Sequence, residues 1–247
     1  MKLLFLLPPL LLASLAFPLS AAPDPSAAVR RAYDDLRDAA YDNAPIGRIE
    51  SLYREARAQV EAAGLDASTR SYWLSRVEYM MGRGYQAWEL EEEAGGHYEA
   101  GLGLTGRALE GGDFSEGWRM MSEHQGQLCI VKELGYLLAN GPKVLRYAKI
   151  AAELDPQNAA AQILLAAAKI YPPPIAGGNP QVGIEMMGRA LSLGAAETDD
   201  LFNIYSGIGV AYAKLGDSRR AVRWLELALE LYPNNRYVRG EYEKLGL

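Results

Sequence analysis

The sequence has few of the residues from which metal and nucleophilic sites are built. It contains one cysteine and two histidines. His97 and His124 lie far apart, with no further His or Cys beside either, whereas metal ligands usually come in local pairs. Cys129 lies in the apolar run LCIV, which predicts burial as a small hydrophobic residue rather than an intermolecular disulfide. We therefore expect no catalytic residues, no metal and no cofactor.

Acidic residues outnumber Lys and Arg, 31 to 25. The formal net charge is −6, which argues against nucleic acid as a partner, because such binding needs clustered Lys and Arg. The run GLGLTG at residues 101–106 matches the letters of the dinucleotide fingerprint G-x-G-x-x-G. That fingerprint works where a strand leads into a helix, but an acidic, helix-favouring stretch precedes it here. Close packing between helices is the better prediction for these glycines.

Long apolar runs are confined to the start of the chain. Lys2 precedes an apolar run at 3–19, and small residues follow at 20–22. This order predicts a signal peptide over residues 1–22, with an uncleaved membrane anchor as the alternative. No later stretch has ~18 uninterrupted apolar residues. The mature protein, residues 23–247, is therefore expected to be secreted or periplasmic, not to span a membrane, and to form one domain.

Strand patterns are nearly absent, and helical periodicity recurs throughout. The clearest unit covers residues 202–235. Small residues stand where two helices would cross, bulky ones fill the shared core, and turn or stop residues bound the helices: Gly209, Tyr212, Gly216, Ala221, Leu225, Ala228 and Pro233. The unit resembles the tetratricopeptide repeat, a 34-residue helix–turn–helix. The sequence therefore predicts an all-α fold, an α-solenoid of antiparallel helix hairpins that forms a superhelix.

Other parts of the chain follow this pattern more loosely. Looser copies cover about 125–158, with a first helix over roughly 125–139, and about 160–195. Degenerate hairpins lie upstream, including two helices divided by DNAP at 42–45 and a helix over 68–84. We expect about five hairpins and a terminal helix over 236–245, which would close the array with a polar face.

One segment departs from the helical pattern. Residues 171–180, YPPPIAGGNP, join two predicted helices. The prolines cannot continue a helix and predict a short polyproline stretch, the glycines allow the chain to turn back, and Asn-Pro begins the next helix. The segment is predicted to be a corner, and a loop that also touches a ligand or partner remains open. The residues of uncertain role are Tyr171, Pro172, Pro173, Pro174, Gly177, Gly178 and Asn179.

The resemblance implies non-catalytic recognition of a protein or peptide on a concave wall of first helices. Carried over to residues 202–235, the wall positions are Asn203, Ser206, Val210 and Lys214. Asn203 and Lys214 would contact the backbone or carboxylate of an extended peptide. The first hypothesis is an exported scaffold or adaptor in the cell envelope, which could also form a homo-oligomer. The alternative is a periplasmic accessory of a tripartite (TRAP-type) solute transport system that associates with a substrate-binding protein or a small ligand.

Overall fold

A computed structural model describes residues 26–194 and 197–246 of the chain. This part is helical and has no β-strand, and none of its helices is long and apolar enough to cross a membrane. The predicted signal peptide, residues 1–22, lies outside the described residues. The α-helices are α1 (Ala27–Tyr41), α2 (Ile46–Ala62), α3 (Ala67–Ala87), α4 (Glu91–Leu109), α5 (Ser115–Val131), α6 (Leu134–Leu154), α7 (Ala159–Ile170), α8 (Pro180–Ser192), α9 (Thr198–Lys214), α10 (Ser218–Leu231) and α11 (Arg236–Glu243).

Consecutive helices pack as hairpins. α1 pairs with α2, α3 with α4, α5 with α6, α7 with α8, and α9 with α10, while α11 packs on α10. The predicted α-solenoid is therefore confirmed, together with its five hairpins and terminal helix. The helix predicted over 68–84 lies within α3.

The hairpin of α9 and α10 shows why small residues recur. A Cβ added to Gly209 would lie 2.7 Å from Leu225 Cδ2, so the two helices approach too closely for any side chain there. Ala221 and Ala228 are fully buried on the α10 side of the same contact. Gly216, with a left-handed φ of +77°, ends the turn after α9. These placements confirm the packing that the repeat pattern predicts.

The corner between α7 and α8 combines the predicted turn with one difference. Gly177 has a left-handed φ of +86°, and the Asn179 side chain caps α8 by accepting a hydrogen bond from Val182 N at 3.2 Å. Of the expected polyproline stretch, Pro173 is extended, but residues Pro174–Ala176 form a single 3₁₀ turn. Proline favours both conformations, because each has a φ near −65°.

The hairpin of α5 and α6 corrects one predicted boundary. A single helix over 125–139 was expected, but the chain breaks at Lys132 and Glu133, so α5 ends at Val131 and α6 begins at Leu134. α6 is long and continues through Pro142. The alanines expected to pack in this copy, Ala148 and Ala151, are buried. The pattern thus gave the packing of the second helix correctly and the extent of the first incorrectly.

The first helices of the hairpins form a closed inner ring. α1 contacts α3, α3 contacts α5, α5 contacts α7, α7 contacts α9, and α9 contacts α1 again. Side chains from both ends of the chain join this closure. Tyr41 stacks on Tyr232 and meets Phe202 edge-on, and Asn235 donates to the Tyr41 carbonyl at 2.7 Å. We call the space that the first helices surround the lumen.

Candidate functional site

Of the four predicted wall residues on α9, Asn203 and Lys214 form side-chain hydrogen bonds with other parts of the chain. Ser206 and Val210 are buried. Asn203 Nδ2 donates to Tyr41 Oη at 3.3 Å, which links α9 to α1. Lys214 is exposed, and its Nζ donates to the carbonyl of Tyr171 at 2.6 Å. Asn203 is therefore the one wall residue whose polar side chain faces the lumen beside a first helix from the other end of the chain.

Lys214 also fixes the start of the 171–180 loop. Its second hydrogen bond goes to the Ile170 carbonyl, at 2.8 Å, so the ammonium group binds the free carbonyls at the end of α7. A Cβ on Gly178 would lie 1.9 Å from the Pro172 carbonyl oxygen, so the loop folds tightly on itself. The loop thereby holds Tyr171 at the end of α7.

Polar side chains from several first helices and from α11 meet in the lumen. Tyr171 and Tyr237 lie close enough for each to influence the pKa of the other, and Gln127 Nε2 lies 3.5 Å from Tyr79 Oη. Gln127 Oε1 is buried and has no hydrogen-bond partner among the described residues. We call this group the lumen cluster; it comprises Tyr41, Tyr79, Arg83, Gln127, Tyr171, Asn203 and Tyr237.

Arg83, on α3, is the positive charge of the lumen cluster. Its guanidinium carbon lies 5.3 Å from the centre of the Tyr41 ring. Burial disfavours the charged form, but four tyrosines, Tyr41, Tyr79, Tyr98 and Tyr171, outweigh this effect and hold the pKa of Arg83 above its ordinary value. Arg83 is therefore a permanent cation in aromatic surroundings.

The buried arginines of the inner ring, Arg37, Arg76 and Arg119, are paired with carboxylates. Arg76 binds Glu197 at 2.5 Å, and Arg119 binds both Glu116 and Glu123 at 2.7 Å. Arg37 likewise binds Asp34 at 2.7 Å. Arg83 has no such partner within residues 26–194 and 197–246.

A network of ion pairs next to the lumen cluster joins α1, α3 and the start of α9. We call it the closure network; it comprises Arg30, Arg37, Arg76, Glu197 and Asp199. Burial alone would raise the pKa of Glu197, but Arg76, Arg119 and Arg30 lower it to about 2. Glu197 is therefore ionised when the protein is folded. It stabilises the closure between the two ends of the chain.

Two acids at the start of α9 are less well compensated. Burial and the charge of Glu197 raise the pKa of Asp199 to about 6 despite Arg37 and Arg76. Burial and Asp199 likewise raise the pKa of Asp200 to about 8. The nearby arginines lower both pKa values without outweighing burial and the neighbouring carboxylates.

The histidines and the cysteine lie apart from the lumen cluster. His97 Nδ1 is 2.6 Å from Glu78 Oε2, and His124 Nε2 is 2.9 Å from Ser75 Oγ. Glu123 pairs with Arg119 and not with its neighbour His124. Cys129 is buried, as predicted, and burial raises the pKa of its thiol. Within the described ranges, no group of three or more His, Cys, Asp or Glu side chains could hold a metal ion.

Sequence reasoning did not find Arg83. The apolar stripe that predicts helix α3 includes Tyr72, Trp73, Val77 and Met80. Arg76 and Arg83 follow Trp73 and Met80 by three residues each, so they continue the same face of α3. This repeat of Arg among aromatic residues is the signal from which Arg83 could have been predicted. A single sequence does not show whether a carboxylate from another hairpin reaches each arginine.

A closed arrangement of helical hairpins with a polar lumen defines the class of protein: the chain has the helical repeat fold of tetratricopeptide repeat proteins. The TPR protein TTC0263 of Thermus thermophilus superposes with a TM-score of 0.51 at 18% identity, over 79% of this chain and 91% of that one. That similarity concerns the fold alone. No family model and no curated protein matches the sequence.

Two further solved structures are more distant. YrrB, described as a TPR protein with an unusual peptide-binding site, has a TM-score of 0.37 at 17% identity, over 81% of this chain and 84% of that one. BtubC (BKLC) from P. vanneervenii also has a TM-score of 0.37, at 18% identity, over 82% of this chain and 87% of that one. These two add nothing to the functional argument.

Proposed function

We propose that the protein is an exported, non-catalytic scaffold that binds a protein or peptide partner in the cell envelope, with the lumen cluster receiving a carboxylate of that partner. Export rests on the N-terminal sequence, with its single lysine, apolar run and small residues. The binding role rests on the lumen cluster, and above all on Arg83.

The observation that carries the proposal is that Arg83 has no carboxylate partner in the described part of the chain, although the buried Arg76 and Arg119 of the inner ring have theirs. Removing a guanidinium from water is unfavourable unless an anion or several acceptors compensate it. A planar guanidinium also matches a carboxylate with two parallel hydrogen bonds. The nearby Asn203 amide and the tyrosine hydroxyls could then bind the adjacent peptide group.

A peptide array tests this proposal. The exported protein is probed with peptides that carry either a free or an amidated C-terminus, and with internal acidic peptides. We expect selective binding to peptides with an accessible carboxylate. The variant Arg83→Gln should bind about tenfold or more weakly, since a hydrogen bond to a charged group contributes about 1.5–3 kcal/mol.

Two further variants act as controls. Arg83→Lys keeps the charge but loses the paired hydrogen bonds, so intermediate binding is expected. Arg219→Gln removes an exposed cation on α10, away from the lumen cluster, and should bind like the wild type. Equal binding by the Arg83→Gln and wild-type proteins, with both folded by circular dichroism, would contradict the proposal.

The alternative is that the same cluster holds a small carboxylate for a solute transport system. The tyrosines around Arg83 favour it, because they could enclose a compact ligand on several sides. Thermal-shift titration with succinate, glutamate and acetate separates the two functions. Stabilisation by one of these acids that Arg83→Gln abolishes, without peptide binding, would favour the transport accessory over the scaffold.

A further inference from the structure

Large apolar side chains are exposed together where α5 ends and α6 begins. Ile130 is 66% exposed at the end of α5, and Leu134 and Leu138 of α6 are 68% and 72% exposed. Leu137 and Leu145 are exposed as well. Single exposed leucines are common on protein surfaces, but a contiguous apolar patch usually marks an interaction site. We call these five residues the α6 patch.

Cations lie on the same exposed side of α6. At about 100° per residue, Leu134, Leu138 and Leu145 fall within about 40° of one another around the helix axis. Lys149, Arg146 and Lys143 occupy the adjoining arc, and all three are exposed. One side of α6 thus carries an apolar arc beside an arc of three cations and one acid, Glu153, so the second arc is net basic, as in helices that lie in a membrane interface.

The charge of this face differs from that of the whole protein. The chain has a formal net charge of −6, yet Lys143, Arg146 and Lys149 follow one another on α6 with Glu153 as the one acid after them on that helix. A second copy docked through the same face would bring these cations close to their equivalents. The charge therefore favours an anionic occupant over a second copy.

We propose that the α6 patch and its three cations dock on the surface of an anionic phospholipid membrane. Ile130, Leu134, Leu137 and Leu138 would enter the boundary between headgroups and acyl chains. Lys143, Arg146 and Lys149 would contact lipid phosphates. Outer helices such as α6 face away from the lumen, so this attachment would leave the lumen cluster free, and it goes beyond the proposed carboxylate binding.

Vesicle flotation tests this proposal with the full chain, expressed and recovered as the cell processes it. The vesicles are phosphatidylcholine alone, or phosphatidylcholine with one third phosphatidylglycerol. The wild type should float with the anionic vesicles, much less with neutral ones, and less at high salt. Leu137→Gln with Leu138→Gln should reduce binding about tenfold or more. Neutralising the three cations to Gln should reduce it by about fivefold per cation on anionic vesicles.

Matched controls test whether binding depends on this face of α6 or on any exposed apolar or charged side chain. Ile175→Ser removes a side chain that is 97% exposed in the 171–180 loop, and Lys244→Gln removes an exposed cation near the C-terminus. Both should float like the wild type. Because any remaining leader is the same in every variant, differences between variants report on α6 alone. The carboxylate-binding assay should be unchanged in all of them.

Two results would overturn the proposal. The first is a flotation result in which the wild type does not bind anionic vesicles, or in which the α6 variants float as well as the wild type. The other is concentration-dependent dimerisation in light scattering that Leu137→Gln with Leu138→Gln abolishes, which would assign the patch to a contact between copies.

Discussion

At the scale of single residues, His124 shows how the interior controls protonation. Its ring is fully buried between α3 and α4, with Nε2 near Ser75 Oγ, and Nδ1 has no hydrogen-bond partner in the part of the chain that the structure describes. Burial, with a smaller contribution from Arg119, lowers its pKa to about 3, although the contact with Ser75 opposes the shift. The imidazole is therefore neutral in the folded protein at ordinary pH, which fits packing better than acid–base catalysis.

This shift predicts a loss of stability in acid. The unfolded chain protonates His124 below about pH 6.5, whereas the folded chain does so only near pH 3. Between these pH values the unfolded state binds more protons than the folded state. The contribution of His124 to the free energy of unfolding therefore falls by up to about 1.4 kcal/mol per pH unit on acidification. Above pH 6.5 this contribution is constant.

Urea titrations of the wild type and His124→Gln from pH 4 to pH 8 measure the effect. The raised pKa values of Asp199 and Asp200 have the opposite sign, since the folded state then holds the extra proton. They act in both proteins and largely cancel in the difference. The difference in the free energy of unfolding between the wild type and His124→Gln should shrink as the pH falls below 6.5. A constant gap would show that His124 does not titrate differently in the two states.

At the scale of elements, glycines set the distance between α3, α4 and α5. A Cβ on Gly101 of α4 would lie 2.0 Å from the His124 ring, whereas one on Gly103 would meet nothing within 4 Å. Within the run GLGLTG, in the middle of a helix, the predicted close packing therefore holds for Gly101 and is wrong for Gly103 and Gly106. The run lacks the preceding strand that a dinucleotide site needs.

The two glycines predict opposite effects of the same substitution. Gly101→Ala forces the methyl group into a rigid, buried ring and should destabilise the protein by about 1–3 kcal/mol. Gly103→Ala should stabilise it by about 0.5–1 kcal/mol, because alanine favours the helix and the space is open. Urea midpoints measure both. Equal shifts in the same direction would contradict the close approach of α4 to His124.

Elements are also the scale at which the sequence was most informative. Gly209, Ala221 and Ala228 contact residues of the adjacent helix, so their spacing predicted the hairpin correctly. The break at Lys132 was missed because α6 is longer than the repeat allows and continues through Pro142, so a fixed 34-residue register placed the first helix too late.

At the scale of the whole molecule, the closure between the chain ends separates this protein from an open solenoid. Stability in an open array is approximately a sum over neighbouring repeats. Here α1 also contacts α9, and the closure network ties Glu197 to Arg30 and Arg76. The closure, and with it the position of Asn203 beside Tyr41, had no sequence signal, because it joins residues from opposite ends of the chain.

Asn235 allows the closure to be tested apart from helix capping. Its Oδ1 accepts from Val238 N at 3.1 Å and caps α11, while its Nδ2 donates to the Tyr41 carbonyl at 2.7 Å. Asn235→Asp keeps the capping oxygen but places a second carboxylate oxygen against that carbonyl. Because the site is buried, we expect a loss of about 2–4 kcal/mol in the free energy of unfolding.

Asn179→Asp is the matched control, because this exposed residue caps α8 through Oδ1 and should tolerate the change within about 0.5 kcal/mol. Hydrogen exchange then distinguishes closure from local damage. If Asn235 holds the two ends together, Asn235→Asp should speed exchange in both α1 and α11, and the radius of gyration from X-ray scattering should rise. Faster exchange in α11 alone would mean that the hairpins fold as an open array and that the lumen does not depend on closure.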